Sequence, residues 1–83
     1  MYRIEFTNPA AKEFRALSEE LKRRIVPVVD GLIQNLRLRG VRKLVGYENL
    51  YRVRVGQYRI VYEVDDGKML IRVTRVRHRR DAY

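Results

Sequence analysis

The chain has 83 residues, with 19 Lys and Arg against 10 Asp and Glu, a net charge of +9 and no cysteine. That length supports one small domain, expected over residues 1–83, and the missing thiols exclude a disulfide framework and a thiolate zinc site. An apolar content of 46% argues against disorder, and the excess of positive charge, most of it arginine, points to a polyanionic partner.

Tyr2 to Thr7 reads as a strand with Tyr2, Ile4 and Phe6 on one face. It lacks the apolar stretch of a leader, and no apolar run approaches a bilayer span. A cytoplasmic location without membrane association is expected. Asn8-Pro9 starts a short helix, with Asn8 as the N-cap and Ala10, Phe14 and Leu17 along one side. Ser18 is a second N-cap. Glu19 and Glu20 then suit the positive end of the helix dipole, and Leu21, Ile25, Val28, Val29, Leu32 and Leu36 form a stripe at helical spacing. Pro27 predicts a kink, and Arg37, Arg39 and Gly40 close the helix.

Beyond Gly40 the apolar period becomes two. Val41 to Val45, Leu50 to Val55, Tyr58 to Val64 and Met69 to Arg77 read as strands. Gly56-Gln57 suits a two-residue turn with Gly first, and Asp66-Gly67 suits a type I′ turn. The predicted fold class is α+β: an N-terminal strand, a helical hairpin and an antiparallel β-meander packed on the helices.

Two-residue turns would pair Val55 with Tyr58, Arg54 with Arg59, Val61 with Arg72 and Arg59 with Thr74. One face then gathers Tyr51, Val53, Val55, Tyr58, Ile60, Tyr62, Val64, Met69, Ile71 and Val73 as a core. The other gathers Arg52, Arg54, Arg59, Arg72 and His78. Arg54 facing Arg59 is a local conflict of up to about 1 kcal/mol. Such conflicts concentrate at functional sites, and a bound phosphate would relieve this one. A merely solvating basic face is the bland alternative. The run from Arg72 to Arg80, with five arginines, one histidine and no acid, tilts the balance towards nucleic acid.

The chain offers no cysteine nucleophile and no Ser-His-Asp arrangement. Asp65-Asp66 is explained by its turn, so neither a carboxylate-held metal nor any other cofactor is expected. RNA, however, carries its own nucleophile in the 2′-OH. Arginines align it and stabilise the charge of the transition state, and a tyrosine near cations is a candidate to move the proton. Lowering a phenol pKa by two units requires about 2.7 kcal/mol, and one close guanidinium supplies on the order of 4 kcal/mol at an effective dielectric of 20. Tyr83, near Arg79 and Arg80, is that candidate.

Tyr51-Arg52-Val53-Arg54-Val55-Gly56-Gln57-Tyr58-Arg59-Ile60-Val61-Tyr62-Glu63-Val64 and Val76-Arg77-His78-Arg79-Arg80-Asp81-Ala82-Tyr83 together resemble the RelE/ParE toxin superfamily, and more closely its RelE-type members. The resemblance covers essentially the whole chain. It implies a RelE-like, microbial-ribonuclease-like fold and a type II toxin that cuts messenger RNA in the ribosomal A site through 2′-OH attack, without a metal. Its implied catalytic residues are Arg52, Arg54, Arg59, Arg79 and Tyr83, with RNA-binding expected of Arg72, Arg77, His78 and Arg80. Known members carry lysines at the positions of Arg52 and Arg54. Arginine keeps the charge but is a poor proton acceptor, which shifts the general-base expectation to Tyr83. Implied partners are a RelB-like antitoxin, the ribosome and messenger RNA, with a toxin–antitoxin heterotetramer as one assembly. The alternatives are a ParE-like inhibitor of DNA gyrase and a non-toxic nucleic-acid-binding module.

Overall fold

The computed structural model describes residues 2–34, 41–44 and 49–81. Within them lie strand β1 (Arg3–Phe6), helices α1 (Asn8–Arg15) and α2 (Glu19–Gln34), strands β2 (Val41–Lys43), β3 (Leu50–Val55), β4 (Tyr58–Asp65) and β5 (Leu70–His78), and a 3-10 turn at Arg79–Asp81. The expected strand, helical hairpin and meander follow in that order. Leu36, Arg37, Arg39, Gly40 and Val45 lie outside the described residues.

The strands form one sheet in the order β1-β5-β4-β3-β2. β1 runs parallel to β5, from Arg3 beside Leu70 to Phe6 beside Val73, and the other pairs are antiparallel. Parallel strands need a crossover connection; after β1 the chain rises through both helices and the meander before β5 returns beside it. Ala10 of α1 and Ile25, Val29 and Leu32 of α2 bury against Val53, Val55, Ile60, Tyr62, Val64, Ile71, Val73 and Val76. The i, i+4, i+7 spacing of the three α2 residues keeps them on one side of the helix.

The cap of α1 is Thr7, not Asn8. The Thr7 hydroxyl accepts the Ala10 N–H at 3.3 Å and donates to the Thr74 carbonyl at 3.3 Å. Its backbone N–H donates to Val73 O at 2.9 Å. Pairing with β5 thus holds Thr7 extended, at φ −66° and ψ 161°, which is the backbone a cap requires. Pro9 then falls in the first turn, where its missing N–H costs nothing. Ser18 caps α2 as expected, its hydroxyl accepting the Leu21 N–H at 3.2 Å. The helix continues through Pro27 and Gly31 to Gln34.

The β3–β4 turn is the predicted two-residue turn, with Val55 opposite Tyr58. Gly56 has φ +60°, the left-handed value that a type II′ turn demands of its first central residue. The β4–β5 connection differs from expectation. Asp65 pairs with Leu70, so four residues form the loop, and Asp65 Oδ1 accepts the Lys68 N–H at 3.1 Å. Met69 adopts φ 50° and is 42% exposed. It belongs to the loop and not to the core.

A second irregularity sits inside this hairpin. Tyr62 pairs with Val73, yet its neighbour Val61 pairs with Arg75. Thr74 is the extra residue of a β-bulge, and its hydroxyl donates to Val61 O at 3.2 Å. Because side chains alternate with period two, one inserted residue exchanges the faces of everything beyond it. Val76 therefore turns into the core, and His78 stands opposite Tyr58 on the helix-covered side. Three expectations are corrected: Val61 faces Arg75 and not Arg72, Arg59 faces Arg77 and not Thr74, and His78 leaves the arginine face.

Candidate nucleic-acid interface

The face of the sheet opposite the helices is ordered by the register into rows. One row crosses β3, β4 and β5 as Arg54, Arg59 and Arg77; the next as Arg52, Val61 and Arg75; the third as Leu50, Glu63 and Arg72. The bulge at Thr74 is what brings Arg75 and Arg77 onto this face. The predicted Arg54–Arg59 opposition is present, and Arg77 extends it to three like charges in line. Such a row is destabilising unless counter-charges intervene.

Two carboxylates pair with arginines of this face, Glu63 in the third row and Glu13 at the end of the first. Glu63 Oε1 holds Arg72 Nη1 at 3.2 Å. Glu13, on α1, holds Arg77 Nε at 2.9 Å and Arg75 Nη1 at 3.4 Å. Glu13 also accepts the Val76 backbone N–H at 2.9 Å. β1 covers β5 only as far as Val73, so the carboxylate occupies an edge where no strand pairs. Burial opposes the Glu13 charge, but the Val76 N–H and the Arg77 and Arg75 guanidinium groups outweigh it and hold the carboxyl below its usual range.

At the end of the first row the groups converge. Arg54, Gly56, Gln57, Tyr58, Arg59 and Arg79 line a polar cleft of about 110 Å³. Arg79 reaches it because its backbone N–H donates to Gln57 O at 2.7 Å, tying the 3-10 turn to the hairpin turn. Among the described residues, Arg54 and Arg79 form no ion pair. Arg52 lies one row back, where its Nη1 is a buried donor without a hydrogen-bond partner among the described residues. Buried polar groups normally find partners, and an anionic oxygen would supply one.

Arg54, Arg59 and Arg79 are therefore brought together and Arg52 is placed beside them, whereas Arg72 and Arg77 are engaged by carboxylates of the same chain. Arg80 is exposed. His78 packs edge-to-face on Tyr58, with ring centroids 5.3 Å apart, and its Nδ1 accepts the Arg80 N–H at 3.2 Å. Tyr83 lies outside the described residues. Two other tyrosines are poor proton acceptors. Burial, and then the neighbouring Tyr51, push the Tyr62 phenol up to about 12. The hydrogen bond to Asp66 raises that of Tyr2. Among the described residues no three His, Asp or Glu side chains gather as a metal site.

Sequence reasoning passed over Glu13, Gln57 and Tyr58. Gln57 is in the turn at the centre of the predicted motif and Tyr58 follows it, so position alone marked them. Nothing in the sequence linked Glu13 on a helix to an edge more than sixty residues away (Val76 lies 63 residues on).

A family profile described as the ParE toxin of a type II toxin–antitoxin system, parDE, matches residues 4–83. The chain belongs to the RelE/ParE toxin superfamily. Toxin RelE3 of Methanocaldococcus jannaschii is 30% identical, the match covering 98% of this chain and 94% of that protein. Toxin RelE of Mycobacterium tuberculosis is also 30% identical, over 99% of this chain and 86% of that protein. Among solved structures, the isolated E. coli RelE toxin superposes with a TM-score of 0.85 at 26% identity, covering 94% of this chain and 84% of that one. RelE in the archaeal RelE–RelB complex from Pyrococcus horikoshii OT3 gives 0.83 at 29% identity, over 98% of both chains. The RelE/ParE chain described here is thus a RelE-like toxin of the type II class, with the RelE fold. No described helix is long and apolar enough to cross a membrane.

Proposed function

We propose that this toxin is a ribosome-dependent endoribonuclease that cuts messenger RNA in the A site. The observation that carries the proposal is the meeting of Arg54, Arg59 and Arg79, from two strands and the 3-10 turn, at one polar cleft. A phosphodiester seated there would offer oxygens to guanidinium donors of matching planar geometry. The 2′-OH of the RNA attacks the adjacent phosphorus, the 5′-oxygen leaves, and a 2′,3′-cyclic phosphate remains. The arginines stabilise the extra negative charge of the pentacoordinate state, with Arg52 supporting them from the adjoining row. No step requires a metal, because the substrate brings its own nucleophile. Tyr83 is the proposed proton acceptor. His78 and Arg80 flank the cleft as RNA contacts, while Arg72 and Arg77, already ion-paired, add mainly to the attractive field.

A RelB-like antitoxin is the proposed partner, since RelE proteins of similar structure crystallise with RelB. Masking a face with this much positive charge is one way for it to neutralise the toxin, and a heterotetramer is one assembly it would form in the cytoplasm.

Toeprinting of ribosomes stalled on a defined message tests the proposal. Cuts within the A-site codon are expected, lost in Arg59→Ala and Arg79→Ala while antitoxin binding is retained. Intact message together with gyrase-dependent DNA breakage would favour the ParE-like alternative, which the ParE description of the matching family supports.

A further inference from the structure

Tyr58 stands at a corner of the sheet. On one side it lines the arginine cleft. On the other it lines a broader groove of about 640 Å³ between the end of α1 and the end of β5, bordered by Ala16, Leu17, Val76, His78 and Arg80. Tyr58 is the residue that lines both compartments. We infer that the groove takes one nucleobase of the RNA whose phosphate occupies the arginine cleft, so that the strand bends around the end of the sheet with phosphate on one face and base on the other. The inference rests on the nuclease reading for its choice of ligand.

The lining matches a nucleobase more closely than a lipid or a purely apolar side chain. Ala16, Leu17 and Val76 provide apolar surface, and Tyr58 and His78, nearly perpendicular at an interplanar angle of 79°, provide ring surface at two orientations. A flat π-system stacks face-on against one of these rings and meets the other at a steep angle, without regard to base identity. Polar groups sit at the rim. Because His78 Nδ1 accepts the Arg80 N–H, the proton of a neutral imidazole resides on Nε2, a donor suited to a ring nitrogen or carbonyl of the base. Arg80, exposed, suits the next phosphate. The Glu13 carboxylate in the groove is committed to Val76, Arg75 and Arg77, so its charge is offset. It was the bulge at Thr74 that placed His78 beside Tyr58 instead of among the arginines.

The test uses the full-length toxin and a short, 2′-O-methylated single-stranded RNA carrying a fluorescent purine analogue at successive positions. Stacking should quench the analogue at one position. Tyr58→Leu and His78→Ala should each lose that quench and weaken binding about ten-fold, the effect of losing one stacked base. Tyr58→Phe should retain it. Thermal melting of each variant separates loss of stacking from loss of fold. The inference is overturned if no position is quenched by the wild-type protein, or if folded Tyr58→Leu and His78→Ala quench as it does. It is also overturned if an abasic sugar at the quenched position binds as tightly as the base. Cleavage on ribosomes is read separately. Quenching without cleavage would support the base subsite and sink the nuclease reading, whereas cleavage indifferent to an abasic sugar would do the reverse.

Discussion

The Glu13 carboxylate accepts the backbone N–H of Val76, completing with a side chain the hydrogen bond that a neighbouring strand would otherwise have made. Hydrogen bonds to charged groups are worth roughly 1.5–3 kcal/mol, and this one is reinforced by two guanidinium groups. Glu13→Ala should therefore cost about 2 kcal/mol in urea unfolding at neutral pH. The pH dependence follows from the lowered carboxyl pKa. The unfolded state regains protons first, so the contribution is complete above the ordinary value of 4.5 and is lost as pH falls through the lower, folded value. Glu13→Gln should flatten that acid limb; an unchanged limb would show that another carboxylate governs it.

Thr7 joins α1 and β5 through one hydroxyl, and Thr7→Val removes the hydroxyl while keeping the shape. The expected cost is about 1 kcal/mol for the cap, with a further loss at the bulge because Thr74 O surrenders its donor. Thr7→Ser should restore most of it. Hydrogen exchange would check the coupling: amides in the first turn of α1 and around Thr74 should lose protection together.

Gly56 combines a left-handed backbone with close packing. A methyl there would meet Arg24 Nη2 at 3.0 Å. Gly56→Ala should cost about 1–2 kcal/mol, mostly from the dihedral angle. The flexible end of Arg24 yields, so in an Arg24→Ala background the cost should fall only by a few tenths. Recovery of most of the stability in the double variant would assign the strain to the contact instead.

Binding to single-stranded RNA should weaken with salt. Arg54→Ala and Arg79→Ala should each lower the logarithmic salt slope by about 0.7, the value for one phosphate contact on a single strand. Arg72→Ala should change it less, because Glu63 already neutralises that side chain. Equal slopes for all three variants would place the phosphate elsewhere.

Much of this was legible in the residues. The apolar–basic alternation of β3 and β4, the glycine of their turn and the stripe of α2 each fixed an element, and the Arg54–Arg59 opposition followed from the turn alone. The far side of the sheet was harder. Asp66-Gly67 looked like a tight turn, but Asp65 and Met69 widen it into a four-residue loop. The bulge did leave a trace: Ile71, Val73 and Val76 are spaced by two and then by three, and all three are buried. A strict two-residue period hides that slip and sends His78 to the wrong face. The Thr7 cap escaped notice because its backbone is set by β5, far along the chain.

The parallel pairing of β1 with β5 also bears on how the molecule comes into being. Arg3 meets Leu70 only after nearly the whole described chain has been made, a contact of long sequence separation that forms slowly. During synthesis the hairpin bearing Arg54 and Arg59 would precede the segment that carries Arg79. On the proposed nuclease reading, a growing polypeptide would lack its complete arginine cleft until β5 slots between its two neighbours.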